Sequence, residues 1–363
     1  MGEVFSLVGA QWGSEGKGVI AAALAREFDA AVRVGGPNAG HSFWFDGRKW
    51  VARSVPCAWI NPDTVLVFGA GGVLNPEQLV EEIEALPDWV EIEVDGRAAC
   101  IVPEYEHREL ETIRGAIGST AEGVGLARQA KMARDGSAVL AADYDWAAHT
   151  NRVKVADTWR TIRDVLEADG TRVFLEGTQG SGLSLDHGTK YPFATSSDTN
   201  VSGLFSAAGI APDWSEHVHL VARTFPIRVA GNSGPMGKET TWEALGVAPE
   251  ITTVTKKVRR VSEWDDEVFE KAVWLNQPCG VWLTFIDYID PDLTGCRDAE
   301  TVLSSTKAVD FINHIERDFD VPVVGVSTGG DGWACVNIAS CAHDEYWPTV
   351  FTKDANAAGM TRR

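Results

Sequence analysis

The chain has 363 residues, of which 44% are hydrophobic and 23% charged, the composition of an ordinary globular protein. Its formal net charge of -20 excludes an overall basic face for a nucleic acid, and no apolar run is long enough to cross a bilayer. We therefore expect neither a nucleic-acid partner nor a membrane partner. The six cysteines are scattered, and the N-terminus lacks a basic-then-apolar signal segment, so we expect a cytoplasmic protein.

Near-continuous apolar runs predict buried parallel strands, and helical patterns lie between them. The predicted strands are at 4–10, 30–36, 64–72, 172–177, 217–224, 280–290 and 321–330, and the clearest helices at 15–28, 75–86 and 305–319. This alternation predicts an α/β fold with a central, mostly parallel sheet. We interpret 1–363 as one large domain, with a mainly helical insertion around 95–165.

Glycine-rich loops follow several of the predicted strands. They read "GAQWGSEGKG" (9–18), "GGPNAGHS" (35–42), "GAGG" (69–72), "EGTQGSG" (176–182) and "STGGDG" (327–332). Because ligands collect at the carboxyl ends of strands in open α/β sheets, these loops predict a shared ligand-binding face.

The first loop is P-loop-like but departs from the P-loop pattern. A P-loop has glycine five residues before Gly16 and a hydroxyl residue after Lys17, whereas this chain has Gln11 and Gly18. Backbone N–H groups of Gly13 to Gly18 can still converge on an anion, with Lys17 adding charge. The alternative is a glycine turn with a solvated lysine. His41 in the second loop is either a general acid or phosphate contact or a structural histidine. The residues alone indicate an α/β enzyme that handles phosphorylated nucleotides.

These two loops together resemble the paired signature of the adenylosuccinate synthetase family. The similarity continues through "GSTAEGVGLAR" (118–128), "KMARDG" (131–136), "EGTQG" (176–180), "DHGTKYPFATSSDT" (186–199), "TTVTKKVRR" (252–260), "LTFID" (283–287) and "STGG" (327–330). The resemblance implies the fold of that family. It also implies its chemistry, in which a nucleoside triphosphate phosphorylates O6 of a purine monophosphate and the amine of L-aspartate then displaces phosphate.

The resemblance also implies functional residues, the cofactor Mg²⁺ and a homodimer in which Arg134 reaches the monophosphate of the neighbouring subunit. The implied catalytic residues are Ser14, Lys17, His41 and Gln179. The implied triphosphate-binding residues are Gly13, Ser14, Glu15, Gly16, Lys17, Gly18, Gly40, His41, Ser42, Phe285, Asp287, Ser327, Thr328 and Gly329. The implied monophosphate-binding residues are Asn38, Ala39, Ser119, Thr120, Arg134, Gln179, Thr195 and Val229. The implied aspartate-binding residues are Thr252, Thr253, Val254, Lys257, Arg259 and Arg260, with Arg260 preferred for the carboxylates, and the metal ligands are Ser14 and Gly40.

Two positions depart from the common family pattern. Ser14 stands where the family has the aspartate that removes the N1 proton of the purine, and Phe285 replaces the lysine of the base-reading motif while Asp287 is kept. The chain is similar in this serine to a branch of the family from phages whose DNA contains 2-aminoadenine. That branch implies dGMP as the nucleotide and ATP or dATP as the donor, in the cytoplasm of the host. The chemistry of the residues alone does not select guanine, because a carboxylate could also accept from N1–H and N2–H.

Three alternatives remain at this point. An ordinary adenylosuccinate synthetase would use IMP with GTP. A catalytically silent nucleotide-binding protein would have lost its base with the aspartate, and a kinase-like NTPase would need no aspartate loop.

Overall fold

A sheet of ten strands forms the centre of the computed structural model, which describes residues 2–252, 257–329 and 335–338. The strands of the structure are β1 (Glu3–Gly9), β2 (Ala30–Arg33), β3 (His41–Phe45), β4 (Arg48–Ala52), β5 (Val65–Phe68), β6 (Val73–Leu74), β7 (Ile92–Asp95), β8 (Ala99–Cys100), β9 (Val153–Ala156), β10 (Arg172–Glu176), β11 (His217–Arg223), β12 (Ile227–Arg228), β13 (Glu239–Thr240), β14 (Arg260–Ser262), β15 (Gly280–Thr284), β16 (Val323–Ser327) and β17 (Cys335–Asn337). The helices are α1 (Lys17–Leu24), α2 (Pro76–Glu84), α3 (Pro103–Thr112), α4 (Arg114–Ile117), α5 (Val124–Ala133), α6 (Thr158–Glu167), α7 (Val201–Ala208), α8 (Trp242–Leu245), α9 (Asp266–Asn276), α10 (Ala299–Ser304) and α11 (Thr306–Phe319).

The main sheet has the strand order β17-β16-β15-β11-β1-β10-β2-β5-β7-β9. Its neighbours pair in parallel, except that β17 runs antiparallel to β16 at one edge. Every predicted strand lies in this sheet, so the α/β fold with a mostly parallel central sheet is confirmed. In β1, Leu7 belongs to the hydrophobic core on one face, and Val4 and Val8 belong to the core on the other. Burial on both faces explains why these strands are almost continuously apolar.

The predicted insertion is only partly helical. Helices α3, α4 and α5 lie within it, but β9 pairs in parallel with β7 and forms an edge of the main sheet. Strand β9 was not predicted from the sequence because an edge strand needs little apolar character. Its residues Lys154 and Val155 are exposed.

Two of the predicted helix starts have the expected caps. Asn75 accepts a hydrogen bond from the backbone N–H of Gln78, and Ser305 accepts one from that of Ala308. Helix α1 differs, because Gly16 precedes it in the left-handed conformation (φ 91°) and provides no side-chain cap. The first N–H groups of α1 are thus left for other partners. None of the helices in the described residues is long and apolar enough to cross a membrane.

An antiparallel hairpin of β3 and β4 follows the second glycine-rich loop. Asp46 and Gly47 form its turn with φ values of 51° and 69°, as expected for a two-residue hairpin loop. The hairpin fixes His41, its first residue, beside helix α1.

Candidate active site

A cavity of about 950 Å³ lies at the carboxyl ends of the central strands. Loops that follow β1, β2 and β10 line it, as three of the five glycine-rich loops predicted. Within the described ranges, residues 69–72 and 327–329 do not reach it. Their strands, β5 and β16, lie further from the centre of the sheet.

The cavity brings together most of the site residues predicted from the sequence. Those that line it are Gly13, Ser14, Glu15, Gly16, Lys17, Gly18, Asn38, Ala39, Gly40, His41, Ser42, Ser119, Thr120, Gln179, Thr195, Val229, Thr252, Arg259 and Phe285. The described residues that do not line it are Arg134, Lys257, Arg260, Asp287, Ser327, Thr328 and Gly329. Thr253 and Val254 lie outside the described residues.

The carboxylate of Glu15 holds the phosphate loop from inside the protein. Its Oε1 accepts hydrogen bonds from the backbone N–H groups of Gln11 (3.1 Å) and Gly13 (2.8 Å), and its Oε2 pairs with Lys17 Nζ at 2.7 Å. Glu15 is fully buried and Lys17 is only 3% exposed. In this conformation the N–H of Gly13 is therefore bonded to Glu15, and the Glu15 carboxylate is occupied by Lys17 and by the loop itself.

Gly18 replaces the P-loop hydroxyl for a steric reason. A Cβ at this position would lie 2.8 Å from His41 Cβ and 3.0 Å from the His41 carbonyl carbon. Helix α1 and strand β3 therefore approach too closely for serine or threonine here.

His41 is held by a buried charged pair at the ends of two central strands. Its Nδ1 donates to Glu176 Oε1 across 2.6 Å, and the Arg33 guanidinium pairs with the same carboxylate. Burial and the charge of Arg33 lower the pKa of His41 to about 4, against the opposing effect of Glu176. Burial alone would raise the pKa of Glu176, but Arg33 and His41 outweigh it and lower that pKa to about 2. His41 is thus a neutral imidazole with Nε2 as a proton acceptor.

Arg33 and Glu176 were not predicted as site residues, although the sequence contains a signal for them. Each is the last residue of its strand, follows three apolar residues and has a fully buried side chain. Buried charges need partners, so two such residues on neighbouring strands indicate a pair.

Both oxygen atoms of Ser14 accept hydrogen bonds from arginines. Its Oγ accepts from Arg259 Nη1 at 2.7 Å, and its backbone carbonyl accepts from Arg223 Nη1 at 3.3 Å. Ser14 itself is exposed to the cavity with φ 59°. Because Arg259 uses the oxygen as an acceptor, the hydroxyl hydrogen of Ser14 remains free to donate into the cavity.

Arg223 connects Ser14 with Phe285 and was missed from the sequence. The guanidinium carbon of Arg223 lies 3.9 Å from the centre of the Phe285 ring, and the guanidinium pairs with Glu250. Tyr288 donates to Glu250 across 3.2 Å. Burial on its own raises the pKa of Glu250, but Arg223 and these hydrogen bonds lower it overall. An arginine inside the apolar run "HVHLVART" was the signal for this buried pair.

Asp287 lies two residues beyond Phe285 and has spare hydrogen-bonding capacity. Its Oδ1 is buried, and no described residue donates a hydrogen bond to it. Burial raises the pKa of this carboxyl. An unsatisfied buried acceptor is costly unless a ligand or water supplies the missing donor.

The basic strip at 257–260 places Arg259, and not Arg260, in the cavity. Arg260 Nε donates to Glu239 at 3.0 Å, and its Nη1 donates to Ser233 Oγ at 3.1 Å and to the Gly234 carbonyl at 2.7 Å. In this conformation the donors of Arg260, the residue preferred from the sequence, are thus used by Glu239 of β13 and by the loop between β12 and β13. Strand alternation sends the two neighbouring side chains to opposite sides.

Three other predicted residues lie away from the cavity. The Ser327 hydroxyl donates to the Gly329 carbonyl at 2.8 Å, and that of Thr328 to the Cys296 carbonyl at 2.7 Å. Both residues are buried, so in this conformation their hydroxyls do not face a triphosphate. Arg134 ends helix α5 as an exposed residue with φ 56°.

Comparison with known families and relatives gives a consistent result. The family model described as adenylosuccinate synthetase matches residues 6–143 and 140–293. The adenylosuccinate synthetase of Archaeoglobus fulgidus is 36% identical over 336 residues, which cover 89% of this chain and 94% of that protein. The N6-succino-2-amino-2'-deoxyadenylate synthase of Vibrio phage phiVC8 is 36% identical over 306 residues, which cover 80% of this chain and 88% of that protein.

Two solved structures are similar along nearly the whole chain. The succinoaminodeoxyadenylate synthetase (PurZ) of cyanophage S-2L, bound to dGMP and to dATP as an energy donor, has a TM-score of 0.82 at 30% identity and covers 95% of this chain and 98% of its own. The fully ligated adenylosuccinate synthetase of Plasmodium falciparum also has a TM-score of 0.82, covering 93% of this chain and 100% of its own. At 22% identity it shows the shared fold alone.

Proposed function

The chain belongs to the adenylosuccinate synthetase family and is a ligase, and we propose that it joins L-aspartate to C6 of dGMP. ATP or dATP would serve as phosphoryl donor, and the product would be N6-succino-2-amino-2'-deoxyadenylate. The product would serve the synthesis of DNA that contains 2-aminoadenine, in the host cytoplasm if a phage encodes the chain.

The observation that carries this proposal is Ser14. A hydroxyl bonded to Arg259 stands on the phosphate loop where the family resemblance implies a catalytic aspartate. The shorter side chain leaves room beside purine C2, which bears an amino group in guanine. The similarity to two phage enzymes, one of them bound to dGMP, supports the same substrate.

The environment of Phe285 and Asp287 supports an adenine donor. Phe285 presents an aromatic ring at the cavity, held by the Arg223 guanidinium on one face. Asp287 does not line the cavity in this conformation, but its unsatisfied oxygen would accept a hydrogen bond from an exocyclic amine such as adenine N6 if the bound donor reaches it. The dATP bound to the cyanophage enzyme is consistent with this choice.

The remaining roles follow the family chemistry. Lys17 and the N–H groups at the start of α1 would stabilise the transferred phosphoryl group, as phosphoryl transfer requires. His41 is neutral in this structure, so it must gain a proton before it can donate to O6. The negative charge of a bound triphosphate would raise the pKa of His41 and so favour that protonation. Gln179 would help to orient the monophosphate.

Arg259 is the proposed partner for the aspartate carboxylates, because its guanidinium faces the cavity and suits bidentate pairing. Thr252 lines the same wall, and Thr253 and Val254 would complete this subsite. Arg134 would act on the monophosphate of a neighbouring subunit in a homodimer.

The residues fit Mg²⁺ only in part. Gly40 is exposed at the cavity, and no described residue donates a hydrogen bond to its carbonyl, so this oxygen is available as a ligand. Both Ser14 oxygens face arginines, and Glu15 is bound to Lys17. Mg²⁺ would therefore be held chiefly by oxygens of the triphosphate, where it would neutralise phosphate charge.

The alternative function is synthesis of adenylosuccinate from IMP and GTP. The archaeal adenylosuccinate synthetases favour it, since that of Archaeoglobus fulgidus matches this chain at the same 36% identity as the phage enzyme.

An assay of phosphate release distinguishes these functions. The purified protein would be assayed with Mg²⁺, aspartate and ATP or GTP, comparing dGMP with IMP. We expect aspartate-dependent turnover with dGMP and ATP. Turnover with IMP alone would establish the alternative, and phosphate release without aspartate would indicate a kinase-like NTPase.

A further inference from the structure

Arg53 and Glu122 both line the cavity, and the family resemblance gives neither of them a role. Arg53 follows strand β4, and Glu122 precedes helix α5. Arg53 Nη1 lies 3.3 Å from Glu122 Oε2 and 3.5 Å from the Pro37 carbonyl. The two side chains are 22% and 15% exposed, so the pair lies on the wall of the cavity.

This ion pair leaves hydrogen-bonding capacity unused on both sides. An optimal arginine–carboxylate pair makes two parallel bonds of about 2.7–2.9 Å. Here one arginine nitrogen makes one long contact, and the other side-chain nitrogens of Arg53 have no hydrogen-bond partner in the described part of the chain. Glu122 Oε1 is buried and likewise receives no hydrogen bond from any described residue. Such a pair is easily exchanged for a stronger one.

The pair joins the two loops that we propose to hold the monophosphate. Pro37 directly precedes Asn38 on one loop, and Glu122 follows Thr120 by two residues on the other. The proposed ligands Asn38, Ser119 and Thr120 are uncharged, so they cannot balance a dianionic phosphate. Arg53 is a cation beside these loops in the same chain.

Three other cations of the cavity wall have closer partners. Lys17 pairs with Glu15 at 2.7 Å, and Arg259 donates to Ser14 at 2.7 Å. Arg228 donates to two backbone carbonyls at 3.1 Å each. Lys49 also lines the cavity, but it is an exposed residue of strand β4, whereas Arg53 contacts both loops, through Pro37 and Glu122. Arg53 is therefore the loosely held cation best placed to reach a phosphate between them.

We propose that Arg53 and Glu122 form an ion pair that the 5'-phosphate of the bound purine nucleotide opens. Arg53 moves from Glu122 to the phosphate, and Glu122 takes up one proton from solvent as it loses its partner. This inference rests on the proposed function for the location of the monophosphate, but not on the identity of the purine.

The surroundings of Glu122 favour proton uptake. Glu122 faces Arg53 from the segment after β4 and the carboxylates Glu106 and Glu109 from α3. Burial raises the pKa of Glu122 to about 7, Arg53 opposes this shift, and the two glutamates add to it. Glu109 cannot turn away, because it accepts from the backbone N–H groups of Gly123 (2.9 Å) and Leu126 (3.1 Å). Removing Arg53 and adding a phosphate dianion both disfavour the charged carboxylate.

The test is calorimetric titration of dGMP at pH 8 in two buffers of different ionisation enthalpy. We expect the wild type to take up about half a proton or more on binding, and Glu122→Gln to take up none beyond the contribution of the phosphate itself. Arg53→Met should weaken dGMP binding about 10- to 100-fold, the loss expected for a hydrogen bond to a charged group. Deoxyguanosine, which lacks the phosphate, should bind equally to the wild type and Arg53→Met.

Glu104→Gln and Arg160→Met are matched controls on exposed helix surfaces and should behave as the wild type. Should Arg53→Met fail to fold, Arg53→Lys keeps the charge and should bind dGMP with intermediate affinity. If the wild type binds IMP and not dGMP, the proposed substrate is wrong, and IMP replaces dGMP in the same titrations. The ion-pair proposal is overturned by unchanged affinity of Arg53→Met, by an equal loss for deoxyguanosine, or by equal proton uptake in the wild type and Glu122→Gln.

Discussion

Replacing Ser14 by aspartate tests whether this residue selects the purine and controls Arg259. The backbone accepts the change, since Ser14 has φ 59° and aspartate is among the residues that tolerate this region. The new carboxylate would lie beside Arg259, which now donates to the hydroxyl at 2.7 Å.

The size of the effect follows from this contact. Arg259 is a cation, so its present bond to the hydroxyl is already charge-assisted, and the substitution adds only an ion pair at a residue exposed to the cavity. Such a pair should hold Arg259 more tightly by about 0.5–1 kcal/mol. If Arg259 must turn to the aspartate substrate, the KM for aspartate should rise about 2- to 5-fold. The larger side chain should also lower kcat/KM for dGMP relative to IMP.

Steady-state phosphate release with each nucleotide, at varied aspartate, measures both effects. Ser14→Asn is the matched control, because it adds the same bulk without the charge. We expect it to disfavour dGMP while leaving the KM for aspartate close to that of the wild type. Ser14→Asp with an unchanged dGMP-to-IMP ratio and an unchanged KM for aspartate would refute the reasoning.

Three further predictions concern the buried charges and the aromatic ring. Glu15→Gln leaves Lys17, which is 3% exposed, without its counter-ion, so the free energy of unfolding in urea should fall by about 3–5 kcal/mol; a fall below 1 kcal/mol would contradict the pair. Phe285→Ala should raise the KM for ATP about 3- to 10-fold with the KM for dGMP unchanged, and equal changes in both would exclude a donor-specific role. The folded-state pKa of His41 is lowered to about 4 and that of His219 to about 3, so their contributions to stability are complete above about pH 6.5 and are lost as the pH falls below it. Because of these two histidines, the free energy of unfolding should be about 4 kcal/mol lower at pH 5 than at pH 8, and His41→Asn should remove about half of this difference.

The sequence was sufficient to predict the architecture and the face that carries the cavity. Parallel strands covered on both sides must be apolar along their length, so runs such as 217–224 and 280–290 could be recognised without any partner. The caps Asn75 and Ser305 are local as well, because each bonds to a backbone N–H three residues away. The family motifs then indicated which loops face the ligand, and most of the predicted residues do line the cavity.

Tertiary structure alone decided what individual polar side chains contact. Ser14 and Arg259 are 245 residues apart, and the sequence could not distinguish Arg259 from Arg260, whose neighbouring side chains point to opposite sides of one strand segment. The pairing of the Glu15 carboxylate with Lys17 inside the protein likewise became known only from the folded chain. The spacing of apolar residues along the chain predicts which side chains are buried, because burial depends on an average over many neighbours. A hydrogen bond depends on one partner at one distance, and only the folded chain supplies it.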